Sequence, residues 1–304
     1  MAALPNSQPG VDTTHLYHAD AYILDANVEE PVHTDLKRQV LVELPDNGKI
    51  QYEKAIPYQL KGILSYTGGY SQVSGHKNTK AAGGFTTVTT SVVEGLNVLD
   101  VVTADRVVGQ ISTTHPPYDP KSGLTDSVPS VTFLGTRFEN LKIDGHEVKP
   151  ERRLDILGPK PPNASSYLQD KGVLARIDGQ YETLNSVVLP DWARERYRRD
   201  RAGVQRIDEH SSAIDCSIVG AVPKAPGTSF GHVIDLPHFG KIFLGELKVR
   251  RELGQPATPQ SDQSPDRYTF HLTMIRLEMG CLAKGTAKIV ALDSNGTGSK
   301  GGGH

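Results

Sequence analysis

The stretch Val131–Val148, VTFLGTRFENLKIDGHEV, decides the fold class. Apolar residues at Val131, Phe133, Phe138, Leu141 and Ile143 are separated by polar ones, and the run meets Asp144-Gly145. A period of two sends one row of side chains into a core and the other toward water. An Asp-Gly pair tolerates the positive φ angles of a tight reversal. Half-buried strand with a hairpin turn is therefore expected here. The same signature recurs on either side. In Val40–Ile56, VLVELPDNGKIQYEKAI, the apolar positions Val40, Val42 and Leu44 precede Pro45-Asp46-Asn47-Gly48, and Ile50 and Tyr52 follow, which predicts a second hairpin. Asp178-Gly179 marks a third. Ser91–Thr114 has helical spacing through Val92, Leu96 and Leu99, but its valines and its interior Gly95 and Gly109 favour strands with bulges.

The C-terminal third repeats the pattern. Phe239–Val249 and Tyr268–Met279 alternate and read as neighbouring antiparallel strands joined by a long polar loop over Gly254–Asp266, and Ala287–Leu292 supplies a last strand. A helix is predicted between Pro190 and Ile207, capped by Asp191 with Trp192 beside it and crowded with Arg194, Arg196, Arg198, Arg199, Arg201 and Arg206. The fold class that follows is all-β: an antiparallel two-sheet, sandwich-like domain with one short Arg-rich helix, the alternative being a β-solenoid. Residues 1–14 are expected to be a flexible N-terminus. Residues 15–293 form a single β-rich domain with a helical or loop insertion at 158–215, bounded by Pro-rich connectors, and 294–304 form a flexible Gly-rich tail.

Composition narrows the function classes. At 304 residues with 37% hydrophobic content, the chain can bury a substantial core. Its 33 Lys+Arg against 35 Asp+Glu give a net charge of −2, so no global field would gather nucleic acid or anionic lipid. No transmembrane segment and no signal peptide are read from the sequence, which makes cytoplasmic the default location. Cys216 and Cys281 stand far apart without a CxxC, and two buried free thiols are expected.

Candidate site residues are few. Leu60–Thr90 mixes six glycines with Tyr66, Tyr70 and Phe85 and contains no acidic residue. It is either a ligand-approaching loop, with Tyr66 and Tyr70 as binding aromatics, or a long sheet connection. Arg194 and Arg198 are the binding candidates on the Arg-rich helix, whose charges also suit a solvated, ion-paired face. His15, His18 and Asp20 are the densest set of potential ligands. Their spacing on a strand does not close around an ion, so no metal and no cofactor are expected. His271, between Phe270 and Leu272, reads as a satisfied, half-buried histidine. No phosphate loop and no Gly-x-Ser-x-Gly elbow occur.

The phrases HADAYIL, SVVEGLNVLDVVTAD, VTFLGTRFENLKIDGHEV, FGKIFLGELKV and YTFHLTMIRLEM…GTAKIVAL, about half the chain, resemble the bacterial choice-of-anchor proteins, which are mostly exported and tethered to the cell surface. That resemblance implies a β architecture and an envelope or assembly theme, and no catalytic residues. Two functions are weighed. The first is a non-catalytic structural or binding protein acting by self-assembly, as a homo-oligomer, or by contact with another protein. The second is a hydrolase or carbohydrate-active enzyme on a β scaffold.

Overall fold

The computed structural model describes residues 13–78, 83–116, 128–162, 166–185, 190–192, 204–254, 266–296 and 300–301. Its principal strands are β1 (Tyr17–Glu30), β2 (Thr34–Gln39), β3 (Val42–Glu43), β4 (Gln51–Ala55), β5 (Gly68–Lys77), β6 (Phe85–Val98), β7 (Val102–His115), β8 (Ser211–Ser217), β9 (Gly240–Glu252), β10 (Arg267–Gly280) and β11 (Lys284–Gly296). Helix α1 (Lys171–Asn185) falls between β7 and β8. One sheet runs β4-β5-β6-β7 and the other β8-β9-β10-β11-β1-β2, with all neighbours antiparallel. The two sheets pack face to face, β6 and β7 against β10, β11 and β1. The architecture is thus the two-sheet sandwich, and not a solenoid. Its second sheet is completed by bringing the N-terminal β1 beside the C-terminal β11. Beyond it, Thr13–Thr14 pairs with Lys300–Gly301.

The close approach of the layers explains one glycine. A Cβ on Gly109 of β7 would meet Leu292 Cδ1 at 2.6 Å and Val290 Cγ1 at 2.9 Å, so at this point the sheets approach too closely for β7 to carry a side chain. Buried hydroxyls tie the layers as well. Ser91 Oγ donates to the Tyr22 carbonyl at 3.0 Å, and Thr113 Oγ1 lies 3.2 Å from Ser294 Oγ.

Both sheets reverse phase along a line. In β1, β10 and β11 the neighbours Ile23 and Leu24, Met274 and Ile275, and Ile289 and Val290 all join the hydrophobic core. Strict alternation would send one of each pair to water. The register sets these pairs side by side, Leu24 with Ile289 and Ile289 with Ile275, and Gly245 of β9 (φ +63°) and Val290 (φ +55°) supply left-handed residues on the same line. Gly95 (φ +59°) does so in β6, between the core residues Val93 and Leu96. Each such residue re-aims its strand without a bulge, because the pairing keeps the same register on both sides of it. The bulges expected from the glycines of Ser91–Thr114 do not form, since the pairing of β6 with β7 keeps one register past both: Gly95 serves the reversal of face and Gly109 the close approach of the sheets.

Several expectations change. Val131–Val148 is not one long strand. It breaks into Ser130–Thr132, Arg137–Glu139 and Lys142–Ile143, each paired with a successive part of β7, and only its Asp144-Gly145 hairpin (φ +50° and +74°) forms as read. Pro45–Gly48 does turn, Gly48 N donating to Pro45 O at 2.8 Å, but β3 before it pairs with β1 and β4 after it pairs with β5. Turn chemistry fixes a local reversal and not the strand's partner, so the link is a crossing between sheets and not a hairpin. Asp178-Gly179 lies inside α1. Leu60–Thr90 is largely strand, neither loop nor long connection. The predicted helix after Pro190 is helical at Asp191–Trp192, lies outside the described residues over 193–203, and does not reach Ile207, because Gln205–Arg206 is a strand paired with β8. Cys216 is a buried free thiol, whereas Cys281 is exposed.

Candidate functional sites: a free sheet edge and a polar cavity

Two surfaces stand out, one on each sheet. In the first sheet, β4 pairs with β5 alone among the described strands, and Gln51 to Lys54 are exposed along it. Large apolar side chains flank and occupy this edge: Ile50 is 62% exposed, Tyr52 56% and Ile56 78%. Tyr52 sits 5.6 Å from the ring of Tyr70 on β5. Of the two predicted binding aromatics, Tyr70 therefore belongs to this surface. Tyr66 does not. It is buried, stacked on Tyr58 at 5.7 Å, and its hydroxyl donates to Gln39 Oε1 at 2.8 Å. Arg194 and Arg198 lie outside the described residues.

The second surface is a cavity of about 320 Å³ on the outer face of the second sheet, beside α1. The helix is held there by Gln180, whose amide Nε2 donates to the carbonyls of Ser217 and Val219 at 3.0 Å each while its Oε1 accepts from Ser217 N at 3.0 Å. The phase reversal lets side chains from both halves of the sheet meet at this cavity. Arg276 reaches back from the far half to Glu246, with Nη2 to Oε1 at 2.9 Å, also binds Glu278, and lies over the ring of Phe243 at 3.6 Å. Lys248 pairs with Asp215 at 3.5 Å. Lys288 lines the same cavity and makes no ion pair among the described residues.

A polar row crosses the sheet into this cavity. Cross-strand register aligns Asp20, Asp293, His271 and Lys248 on four adjacent strands. Arg38 Nη1 donates to Asp20 Oδ2 at 2.8 Å, His271 Nδ1 is bonded to Asp293 Oδ1, and His271 Nε2 lies 3.1 Å from Thr273 Oγ1. Burial pushes the Asp20 carboxyl up to about 7, helped by the neighbouring charge of Asp293 and opposed by Arg38. Burial is also the largest influence on Asp293 and works the same way, but the hydrogen bond and charge of His271, the hydrogen bond to Asp20 and the charge of Arg38 together outweigh it and hold that carboxyl below the usual range. Of the two, Asp20 is thus the carboxyl that favours its proton and Asp293 the one that favours the carboxylate. A carboxylate only accepts, so His271 carries its proton on Nδ1, and its Nε2 accepts from the Thr273 hydroxyl.

Of the potential ligands His15, His18 and Asp20, for which no metal is expected, only Asp20 enters this row. His18 is exposed, and His15 is buried in the sandwich, stacked on Phe85 at 4.3 Å and 5.1 Å from His115. Among the described residues no group of three or more His, Cys, Asp or Glu is placed to hold a metal ion. No helix among them is long and apolar enough to cross a membrane. His271 is satisfied as expected. Its partner Asp293 lies one residue beyond the strand read at Ala287–Leu292, on the edge of the predicted tail; the alternation that continues through Ala291 and Asp293 is the signal the sequence offers for it.

Fold and site define an antiparallel β-sandwich protein whose first sheet ends in the exposed strand β4 and whose second sheet carries a polar cavity. Residues 15–250 match the family described as a domain of unknown function, DUF8256, and the chain belongs to that family. No curated protein and no solved structure matches it.

Proposed function

We propose that this chain is a structural or binding protein that works by pairing with a second copy of itself along β4. The observation that supports this is the free edge of β4, with exposed Ile50, Tyr52 and Ile56 at alternate positions. An unpaired strand presents a row of unused backbone donors and acceptors, a template for another strand. A twofold axis through Glu53, perpendicular to the sheet, keeps the outer faces of both copies on one side. Ile50 then faces Ile56 of the second copy, and Tyr52 faces Lys54. Cross-strand pairs of this kind contribute roughly 0.2–1 kcal/mol each. The same axis sets Glu53 against its own copy, a like-charge pair that holds the association reversible. The resemblance to surface-tethered proteins would place such assemblies at the cell envelope.

Size-exclusion chromatography with light scattering tests this. A concentration-dependent dimer is expected, weakened by Tyr52→Lys and strengthened by Glu53→Gln, which removes the repulsion. A strict monomer at every accessible concentration, or a dimer indifferent to both substitutions, defeats the proposal.

A further inference from the structure

Independently of that assembly, we infer that Thr273, His271 and Asp293 form a nucleophile, base and orienting carboxylate for acyl transfer, and that the cavity on the second sheet hydrolyses small carboxylic esters. Three observations converge. The hydrogen bonds run in the order such chemistry requires: carboxylate to Nδ1, and Nε2 to the hydroxyl at 3.1 Å. The chain of bonds borders the cavity, which both residues line, the half-buried His271 more openly than Thr273, which is 2% exposed. Finally, the local charges are sorted. Arg276 and Lys248 are already paired with carboxylates, so the ammonium of Lys288 is the cation left to face negative charge developing in the cavity.

The chemistry balances with water as the only co-reactant. Thr273 Oγ1 bonds to the acyl carbon as its proton passes to His271 Nε2, and the carbonyl electron pair moves onto oxygen, where Lys288 offsets the charge. Collapse breaks the ester C–O bond, and the departing alkoxide takes the proton from His271 and leaves as an alcohol. A water then adds to the acyl carbon while giving its proton to His271. Oγ1 departs with that proton, leaving a free acid and the original hydroxyl. Asp293, bonded to Nδ1, holds the imidazole in the tautomer that keeps Nε2 free to accept.

The probe is an alkyl fluorophosphonate, which phosphonylates an activated hydroxyl and releases fluoride, followed by peptide mass spectrometry of the full chain. One label per chain on Thr273 is expected, and it should be retained in Thr273→Ser. It should be absent in Thr273→Val, and slower by roughly 10²–10⁴ in His271→Gln, the usual contribution of a general base. Asp293→Asn should slow labelling of Thr273 without lowering the melting temperature, a separation that a merely structural Asp293 would not give. Thermal melts of the same samples report folding, and Thr273→Ser keeps the test open if the valine variant does not fold. A wild-type chain that takes no label, or a label that maps to another residue, overturns the inference.

Discussion

Gly245 holds a left-handed φ of +63° at the point where β9 reverses its inward face, with its Cα directed at Ile218 and Val219. A Cβ there would lie 2.7 Å from Ile218 Cγ1 and 3.0 Å from Val219 Cγ2. Gly245→Ala therefore combines an unfavourable backbone with overpacking, and a loss of about 1–3 kcal/mol is expected from urea denaturation. A variant as stable as the parent would mean that the strand can reverse without this residue. Val290 makes the comparison sharper. It is β-branched yet sits at φ +55° on the same line, a conformation that costs of order 1–3 kcal/mol. The packing of Val290 against the gap at Gly109 offsets that cost, so the reversal line and the closest contact between sheets depend on one another.

At the scale of elements, α1 shows why part of the structure was legible and part was not. Its buried face, Val173, Ile177 and Tyr181, recurs every four residues, and Asp170 caps it, Oδ1 accepting from Val173 N at 2.8 Å. Both signals are in the sequence, but Asp178-Gly179 mimics a hairpin turn and masked them. Local turn chemistry competes with periodicity, and here tertiary docking through Gln180 decides for helix. Gly179 has open space around its Cβ position and no positive φ, so it serves no steric purpose. Gly179→Ala should stabilise the protein by about 0.5–1 kcal/mol, the helix propensity difference, read as a higher melting temperature. A lower melting temperature would show that the glycine is needed. The long strands β6, β7, β9, β10 and β11 were readable because alternation persists over many residues. The partners of β3 and β4 were not, since a turn does not specify which sheet each flank joins. The row Asp20, Asp293, His271 and Thr273 is assembled by register across three strands, two of them at opposite ends of the chain, and no spacing in the sequence encodes it.

For the molecule as a whole, the sandwich buries a pair of histidines, His15 and His115, whose Nε2 atoms have no hydrogen-bond partner among the described residues. Burial lowers His15 to about 4 and His115 to about 3, with His15 and Lys160 adding to the shift at His115. Both rings are neutral in the folded protein near neutral pH. The unfolded chain regains ordinary histidines at about 6.5, so between there and the folded values it binds more protons than the native state. Stability therefore falls as pH drops below about 6.5, and continues falling until the folded values near 4 and 3 are passed. Each ring contributes at most about 1.4 kcal/mol per pH unit in that window. Asp20 acts in the opposite sense over part of the same range, because its raised carboxyl binds a proton in the folded state that the unfolded chain releases above its ordinary carboxylate value. The raw pH profile mixes the two, and a difference between variants separates them. Urea denaturation of the parent and of His115→Gln between about pH 5 and 6 should give slopes that differ by about one proton, the substituted protein being the less sensitive to acid. Parallel slopes would show that His115 is not held neutral, and the packing of the two histidines between the sheets would then not be what limits the protein in acid.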